Sequence, residues 1–238
     1  MTPENSPTGS GCLAQHLSQA RNSGQEAPLL ASARTYAEKH FEGVRGSHAW
    51  DHTLRVFRLC ERIGKAEGAD MDVLRVAALL HDIGRMQQDT SGGAVCHAER
   101  GEAMARPLVV GLPLSEQQKM NVLHCIRSHR FRGNQRPGTT EARVLFDADK
   151  LDAIGAVGVA RTFLFAGEVG ARLHNPEANP EDTTPYSQDD TGYREFRLKL
   201  SRIRERILTA EGRRLADERH VYMEAFFSRF LEEYDGKR

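Results

Sequence analysis

The residues with the clearest chemistry in this chain are the adjacent pair His81-Asp82, which closes the apolar helical run Val73–Leu80. A further histidine, His52, lies upstream in a segment that begins a helix, and Asp149 lies downstream. Together these four side chains supply two imidazole nitrogens and two carboxylates. Such a mixed set is expected around Mn, Fe, Ni, Zn or Mg, with coordination positions left open for water and substrate.

The sequence around these positions resembles the HD-domain superfamily of metal-dependent phosphohydrolases. Residues 77–84 (AALLHDIG) are similar to the core motif of the family. Residues 147–156 (DADKLDAIGA) are similar to its last motif, in the form carried by a bacterial branch of small stand-alone HD hydrolases. Residues 208–213 and 216–220 fit the same branch. The resemblance covers roughly residues 33–232.

The resemblance implies a divalent metal ion (Mn, Fe, Ni, Co, Mg or Zn) as the cofactor. The ligands that it implies are His52, His81, Asp82 and Asp149. Asp147 is the rival for the last position. Asp149 is preferred because the aspartate of the family directly precedes a basic residue and a leucine, as Asp149 precedes Lys150 and Leu151.

Two cations adjoin these ligands in the sequence. Arg85 follows the His-Asp-Ile-Gly segment, where many members of the family carry a lysine, and Lys150 follows Asp149. Positive charges at these positions are expected to contact phosphoryl oxygens and to stabilise the charge that develops on them. By hypothesis Asp82 also accepts the proton of the attacking water. The alternative for Arg85 is an exposed residue stabilised by the dipole of the preceding helix.

A separate general base is not evident from the motif. Some nucleotidases of the family place a glutamate a few residues after the His-Asp pair, whereas this chain has Arg-Met-Gln-Gln at residues 85–88. Glu99 and Glu102 are the candidates to replace it. The missing glutamate also makes a catalytically silent metal-binding or nucleotide-binding regulatory module an alternative to an enzyme.

Further histidines lie between the core pair and Asp149. In some HD enzymes such histidines bind a second metal, and His97 with His129 is the pair that could do so here. Solvated or capping histidines are the alternative. His124 and His129 are five residues apart and therefore do not share a helix face. A full six-ligand set would also be required by an HD oxygenase with two irons, which is an alternative reaction class.

An arginine-rich segment occupies residues 127–136. It contains four arginines, no acidic residue and one aromatic residue, Phe131. Local positive charge on a neutral protein favours an anion such as a triphosphate, and Phe131 could stack on a base. We therefore predict Arg130 and Arg132 as substrate-binding residues, with a solvated loop as the alternative.

The predicted reaction is the hydrolysis of a phosphoester or phosphoanhydride with the help of the metal. Similarity to the small HD proteins implies a nucleotide substrate. It would be cut either as a 5′-monophosphate, by a nucleotidase, or between the α- and β-phosphates of a triphosphate, by a pyrophosphohydrolase. A (p)ppGpp-type hydrolase is a further alternative, because the arginine-rich segment could hold a doubly pyrophosphorylated nucleotide.

Length and composition restrict the class of protein. The 238 residues suit one domain, and 33 lysines and arginines balance 33 aspartates and glutamates. This balance disfavours nucleic acid and membranes as partners. The four cysteines contain no CxxC pair and are expected to be free thiols, and no segment resembles a membrane span or a secretory signal. We therefore expect a cytoplasmic protein.

The spacing of apolar residues predicts an all-α protein, a compact helical bundle. Residues 1–28 are expected to form a disordered leader, and residues 29–238 an HD-type helical domain with a loop insertion at 167–191. The predicted helices are Ala31–Phe41, Trp50–Lys65, one capped by Asp72 and ending at Gly84, Ala98–Val110, one from a Ser115/Gln118 capping box to Ser128, Thr140–Phe165 as the longest, Tyr193–Leu208 and Arg214–Tyr234.

Overall fold

The computed structural model describes residues 28–41, 50–130 and 135–238. Within these ranges the chain contains no β-strand, so the predicted all-α class is confirmed. The helices are α1 Pro28–Glu38, α2 Trp50–Glu67, α3 Met71–Leu80, α4 Arg85–Thr90, α5 His97–Val110, α6 Glu116–Ser128, α7 Thr140–Asp152, α8 Gly155–Glu168, α9 Gly192–Leu198 and α10 Ala210–Tyr234. The leader predicted for residues 1–28 lies outside the described residues, apart from Pro28.

Helix α3 is the centre of the bundle. Seven of its ten residues are buried, and it packs against α1, α2, α6 and α7. Apart from Asp72 and Arg75 its side chains are apolar, which is typical of a helix in this central position. Burial of each large side chain, such as Leu74 or Leu79, contributes about 1.5–3 kcal/mol. Because other helices surround α3, the residues that follow it, His81 and Asp82, are buried as well.

The start of α3 differs from the prediction. Its N-cap is Asp70, whose side chain accepts hydrogen bonds from the backbone N–H groups of Asp72 and Val73. Asp72 therefore lies in the first turn and does not cap the helix. The capping box predicted at the start of α6 is present, since Ser115 and Gln118 each bind the backbone of the other.

The end of α3 also differs, because the helix stops at Leu80 and not at Gly84. Residues 81–84 form a turn that leads into α4. A Cβ on Gly84 would lie 2.3 Å from the carbonyl oxygen of His97 and 2.7 Å from the backbone nitrogen of Gly101, both in α5. Only glycine permits this approach. The turn thus brings the start of α5 against the His-Asp pair.

The helix predicted for Thr140–Phe165 is two helices. Helix α7 ends at Asp152, and α8 begins at Gly155, which has a φ of +79°. A Cβ there would also lie 2.8 Å from the side chain of Arg219. Glycine adopts this left-handed conformation without strain, so the chain changes direction at this point. The longest described helix is α10, with 25 residues.

The helix predicted for Tyr193–Leu208 is also shorter, since α9 ends at Leu198 and 3₁₀ turns follow at Leu200–Arg202 and Arg204–Arg206. The extended backbone after these turns lets the N–H groups of Leu208 and Thr209 donate to the buried carboxylate of Asp147, at 2.9 and 2.7 Å. A buried carboxylate needs such donors, and a continuous helix would withhold them.

The loop insertion predicted for residues 167–191 begins too early, because α8 ends at Glu168; the segment after it contacts α9. The guanidinium of Arg194 donates to the carboxylate of Asp190 at 2.7 Å and to the carbonyl of Thr183 at 3.0 Å. Asp190 in turn accepts from the backbone N–H of Tyr186 at 2.8 Å. None of the helices in the described ranges is long and apolar enough to cross a membrane.

Candidate metal centre

Six side chains able to bind metals meet where several helix ends converge. They form two groups, and within each group the ligand atoms all lie within 4.8 Å of one another. The first group is His52, His81 and Asp149, and the second is Asp82, His97 and His129. All are buried except Asp149, whose side chain is 18% exposed. The structure thus brings together the four predicted ligands and the two additional histidines.

Each of these residues lies at or near a helix end. Their positions are the first turn of α2 for His52, the turn after α3 for His81 and Asp82, the first residue of α5 for His97, the residue after α6 for His129, and the last turn of α7 for Asp149.

In the first group, Nε2 of His52 lies 3.4 Å from Nε2 of His81 and 3.4 Å from Oδ1 of Asp149. Oδ2 of Asp82 lies 3.7 Å from the same His52 nitrogen and 3.9 Å from Nε2 of His81. One oxygen of Asp82 therefore faces the first group, which gives it two nitrogens and two oxygens.

In the second group, Nε2 of His97 and Nε2 of His129 are 3.1 Å apart. They lie 3.4 and 3.5 Å from the other oxygen of Asp82, Oδ1. This Oδ1 is buried and accepts no hydrogen bond of good geometry from the described residues. Asp82 thus lies between the two groups, with Oδ2 facing the first group and Oδ1 facing the second.

The hydrogen bonds of the histidines orient their rings. In every case an oxygen lies within hydrogen-bond distance of Nδ1: Asp152 Oδ2 for His52 (2.8 Å), Ala78 O for His81 (2.8 Å), Gln88 Oε1 for His97 (2.8 Å) and Ile126 O for His129 (2.6 Å). Carbonyl and carboxylate oxygens only accept, so the hydrogen is on Nδ1 and Nε2 faces the cluster.

A divalent metal fits this arrangement. In each group two Nε2 atoms face each other at 3.1–3.4 Å, and carboxylate oxygens face the same space. When both nitrogens of a pair are without a proton, their lone pairs repel at this distance, and a metal ion between them removes the repulsion. Imidazole and carboxylate ligands without any thiolate suit divalent Mn, Fe, Co, Ni or Zn.

Both carboxyl groups of the cluster are held in the ionised form. Burial alone would raise the pKa of Asp82, but Arg85 and His81 outweigh it and hold this pKa well below its ordinary value. Burial would likewise raise the pKa of Asp149, but Lys150 and His52 hold it well below the ordinary value. Ionised carboxylates are the form that binds metal.

The histidines divide into two kinds. Burial would lower the pKa of His52, but hydrogen bonds to Asp149 and Asp152 outweigh it and raise this pKa to about 9. Burial lowers the pKa of His81 to about 4 and that of His97 to about 2. Without metal, His52 is therefore the protonated member near neutral pH, and His81 and His97 are neutral.

The two predicted catalytic cations lie at the edge of the cluster. Nη2 of Arg85 is 3.3 Å from Oδ2 of Asp82. Nζ of Lys150 is 2.5 Å from Oδ2 of Asp149 and 3.2 Å from the carbonyl of His129. The Nε–H of Arg85 is buried and has no hydrogen-bond partner among the described residues.

Of the arginine-rich segment, Arg130 is described and Arg132 and Phe131 lie outside the described residues. Arg130 directly follows His129 and is partly exposed. Burial would raise the pKa of the Cys96 thiol, but a backbone hydrogen bond from Glu99 and a hydrogen bond from Arg130 lower it. Arg130 therefore lies at the start of α5, close to the second group.

Neither glutamate considered as a general base faces the cluster with a free carboxylate. The oxygens of Glu102 contact the guanidinium groups of Arg106 and Arg127, the latter at 3.2 Å. Glu99 is exposed in the first turn of α5. Asp147 points elsewhere as well, because its carboxylate binds Thr209 and the neighbouring backbone.

The orienting residues Asp152 and Gln88 were not predicted from the sequence. Asp152 follows Asp149 by three residues in a helix, a spacing that places both side chains on one face. This spacing is the feature of the sequence that could have indicated a role for Asp152 beside the metal ligands. Gln88 lies in the segment where the family glutamate was sought. Its contact with His97 joins α4 to α5, and the sequence around either residue does not predict this contact.

Comparison with known proteins agrees with the fold and the site. The model of the HD domain family matches residues 49–154, a range that contains every residue of the two groups. The chain belongs to the HD-domain superfamily, as its motifs indicated.

Several relatives are similar over most of their length. YpgQ, an uncharacterized protein of Bacillus subtilis (strain 168), is 31% identical over 216 residues, which cover 89% of this chain and 97% of YpgQ. The crystal structure of YpgQ in complex with ADP has a TM-score of 0.66 at 30% identity, covering 86% of this chain and 94% of that one.

Two further solved structures carry the name of the superfamily. An HD-superfamily hydrolase of Bacillus thuringiensis has a TM-score of 0.66 at 26% identity and covers 87% of this chain and 96% of its own. A protein of an uncultured Thermotogales bacterium, described as a predicted HD-superfamily hydrolase, has a TM-score of 0.64 at 27% identity, covering 92% and 98%. The chain is thus a member of a hydrolase family with side chains that could hold a divalent metal.

Proposed function

We propose that this protein is a divalent-metal-dependent phosphohydrolase that acts on a phosphorylated nucleotide. The observation that carries the proposal is the cluster of two ligand groups that share Asp82, with Arg85 and Lys150 at its edge. The ADP bound by the similar protein YpgQ supports a nucleotide as the ligand here. The balanced net charge gives no support to a nucleic-acid substrate.

The first group, together with Asp82, is the proposed principal metal site, held by His52, His81, Asp82 and Asp149. When bound, the metal supplies a Lewis acid that polarises a phosphoryl oxygen and lowers the pKa of a water nucleophile. Its imidazole content favours Mn, Fe, Co, Ni or Zn over Mg, because Mg prefers oxygen ligands and retains water.

The cations at the edge of the cluster bind and orient the phosphate. The guanidinium of Arg85, whose side chain is 16% exposed, can donate to a phosphoryl oxygen while it remains against Asp82. Lys150 adds a second positive charge on the side of Asp149. Arg130, and by prediction Arg132, would contact the more distant phosphates of a di- or triphosphate.

Asp82 is proposed as a ligand, and its low pKa favours this role over that of a general base. A carboxyl group whose pKa is well below the ordinary value holds a proton weakly. Such a group is a poor general base near neutral pH, since the efficiency of a base depends on a pKa close to the working pH. We therefore propose Asp82 first as a ligand shared by the two groups, and its role as acceptor of the water proton stays a hypothesis.

The second group supports a second candidate function. The presence of Asp82, His97 and His129 in one cluster completes a six-residue set. A set of this size is what an HD oxygenase with two irons would require. Metal content separates the candidates: two irons per chain with consumption of O₂ would favour the oxygenase over the phosphohydrolase.

The test uses the full chain, stripped of metal and reloaded separately with Mn, Mg, Co, Ni, Fe and Zn. Release of phosphate and of pyrophosphate is measured from nucleoside mono-, di- and triphosphates. The variant Asp82→Ala is compared with Asp217→Ala, which removes an exposed carboxylate of α10 as a matched control.

Release that depends on metal, survives in Asp217→Ala and disappears in Asp82→Ala is the expected result. Pyrophosphate from triphosphates would identify a pyrophosphohydrolase, and phosphate from monophosphates a 5′-nucleotidase. No release from any nucleotide by a protein that demonstrably binds metal would contradict the proposal and favour the oxygenase or a silent binding module.

A further inference from the structure

A buried carboxylate outside the two ligand groups contacts one of the ligands directly. Asp152 is the last residue of α7 and is 2% exposed. Its Oδ2 lies 2.8 Å from Nδ1 of His52, the nitrogen on the side of the ring opposite the cluster. The contact joins α7 to α2 across a large separation in sequence.

Two arginines hold this carboxylate in place. Nε of Arg55 donates to Oδ1 at 2.7 Å, and its Nη2 donates to Oδ2 at 3.1 Å. Nη1 of Arg161, from α8, donates to Oδ2 at 2.6 Å. With the bond from His52, Asp152 accepts from three side chains and both of its oxygens are used. A buried charge with this many partners has little freedom to turn.

The other three histidines of the cluster have neutral partners. His81 and His129 face the backbone carbonyls of Ala78 and Ile126, and His97 faces the side-chain amide of Gln88. Among the four, His52 alone has a carboxylate at Nδ1. A carboxylate at this nitrogen fixes the ring and makes Nε2 a stronger donor to metal than a neutral acceptor does.

We propose that Asp152 is a positioning residue for the metal of the first group, which it serves by orienting His52 so that Nε2 faces the ion. Arg55 and Arg161 hold the carboxylate in the position that this task requires. The inference rests on the proposed function only in requiring a metal at His52, His81 and Asp149. Its measurable consequence is metal affinity, which does not depend on any nucleotide being hydrolysed.

The test measures the affinity of the full chain for Mn²⁺, using electron paramagnetic resonance to determine the concentration of free Mn²⁺. Asp152→Asn is expected to weaken binding roughly 10–100-fold, the usual effect of losing an orienting carboxylate. Asp51→Asn is the matched control, because Asp51 contacts Arg55 at 2.6 Å and is 65% exposed. This control removes a carboxylate from the same arginine and is expected to leave the affinity within about threefold of the original chain.

A purely structural role for Asp152 would lower the thermal midpoint without changing Mn²⁺ affinity in the folded protein, and that result would overturn the proposal. If Asp152→Asn does not fold, Arg161→Gln keeps the carboxylate of Asp152 but removes one of the two arginines that hold it, and it is expected to weaken binding about two- to tenfold. Nitrogen-15 NMR of the Zn²⁺-loaded chain then decides: a hydrogen on Nδ1 of His52 supports the proposal, and a hydrogen on Nε2 overturns it.

The two proposals fail in different ways. A chain that binds Mn²⁺, loses affinity in Asp152→Asn and hydrolyses no nucleotide would contradict the proposed function and support the role of Asp152. A chain that binds no metal would overturn both.

Discussion

Lowering the pH from 8 to 6 is expected to weaken the binding of a divalent metal to the group of His52, His81 and Asp149. Without metal, hydrogen bonds to Asp149 and Asp152 outweigh the effect of burial and raise the pKa of His52 to about 9. A metal must therefore displace a proton from Nε2 of His52 before it can bind this nitrogen. Metal and proton compete for one atom.

The size of the effect follows from the other ligands. The pKa of His81 is lowered to about 4, chiefly by burial, so this ligand is already neutral over the range. The pKa of Asp149 is held well below its ordinary value, so its carboxylate is already ionised. One proton is left to compete, and affinity is expected to fall about tenfold per pH unit, or about 100-fold between pH 8 and pH 6.

Isothermal titration with Mn²⁺ measures this effect. Titrations at pH 7 in buffers of different ionisation enthalpy are expected to show about one proton released per ion. His97→Gln should keep the dependence on pH, because the pKa of His97 is lowered to about 2 and this residue carries no proton to displace. An affinity that stays constant from pH 6 to pH 8, without proton release, would refute the reasoning about His52.

Three further predictions concern the ligands and the fold. Asp149→Ala should abolish metal binding at the first group, as measured by calorimetry, whereas Asp147→Ala should leave this binding intact. Asp147→Ala should instead lower the free energy of unfolding in urea by about 3 kcal/mol, because the buried donors around Asp147 lose their acceptor. Asp70→Ala should cost about 1 kcal/mol in urea through loss of the N-cap of α3. Gly155→Ala should cost at least about 1–2 kcal/mol by thermal unfolding, because alanine is strained at a φ of +79°.

Each of these predictions has an opposing result. If Asp147→Ala lost the metal and Asp149→Ala retained it, Asp147 and not Asp149 would be the metal ligand. An unchanged midpoint in urea for Asp70→Ala would show that Asp72 can cap the helix instead. A stable Gly155→Ala protein would show that the turn between α7 and α8 can change its conformation. Exposed Asp217→Ala serves the aspartate variants as a control for loss of charge.

Parts of the fold were accessible from sequence because they depend on local spacing. Apolar residues at helical spacing correctly predicted an all-α chain, and the Ser115/Gln118 capping box marked the start of α6. The wrongly predicted helix ends lie where contacts between residues distant in sequence determine the backbone conformation. The helical pattern continues through Gly155, but the helix ends just before this residue, which packs closely against the side chain of Arg219. After α9 the backbone is not helical, and its N–H groups donate to Asp147.

By itself the sequence determined the helical class, the superfamily and the four positions at which metal ligands were expected, because motif and periodicity are local properties of the chain. Only the tertiary structure decided that His97 and His129 meet the second oxygen of Asp82, and that Asp152 supports His52. The physical reason is the same in both cases. These contacts join helices far apart in sequence, so they depend on how helix ends converge and not on the identity of neighbouring residues.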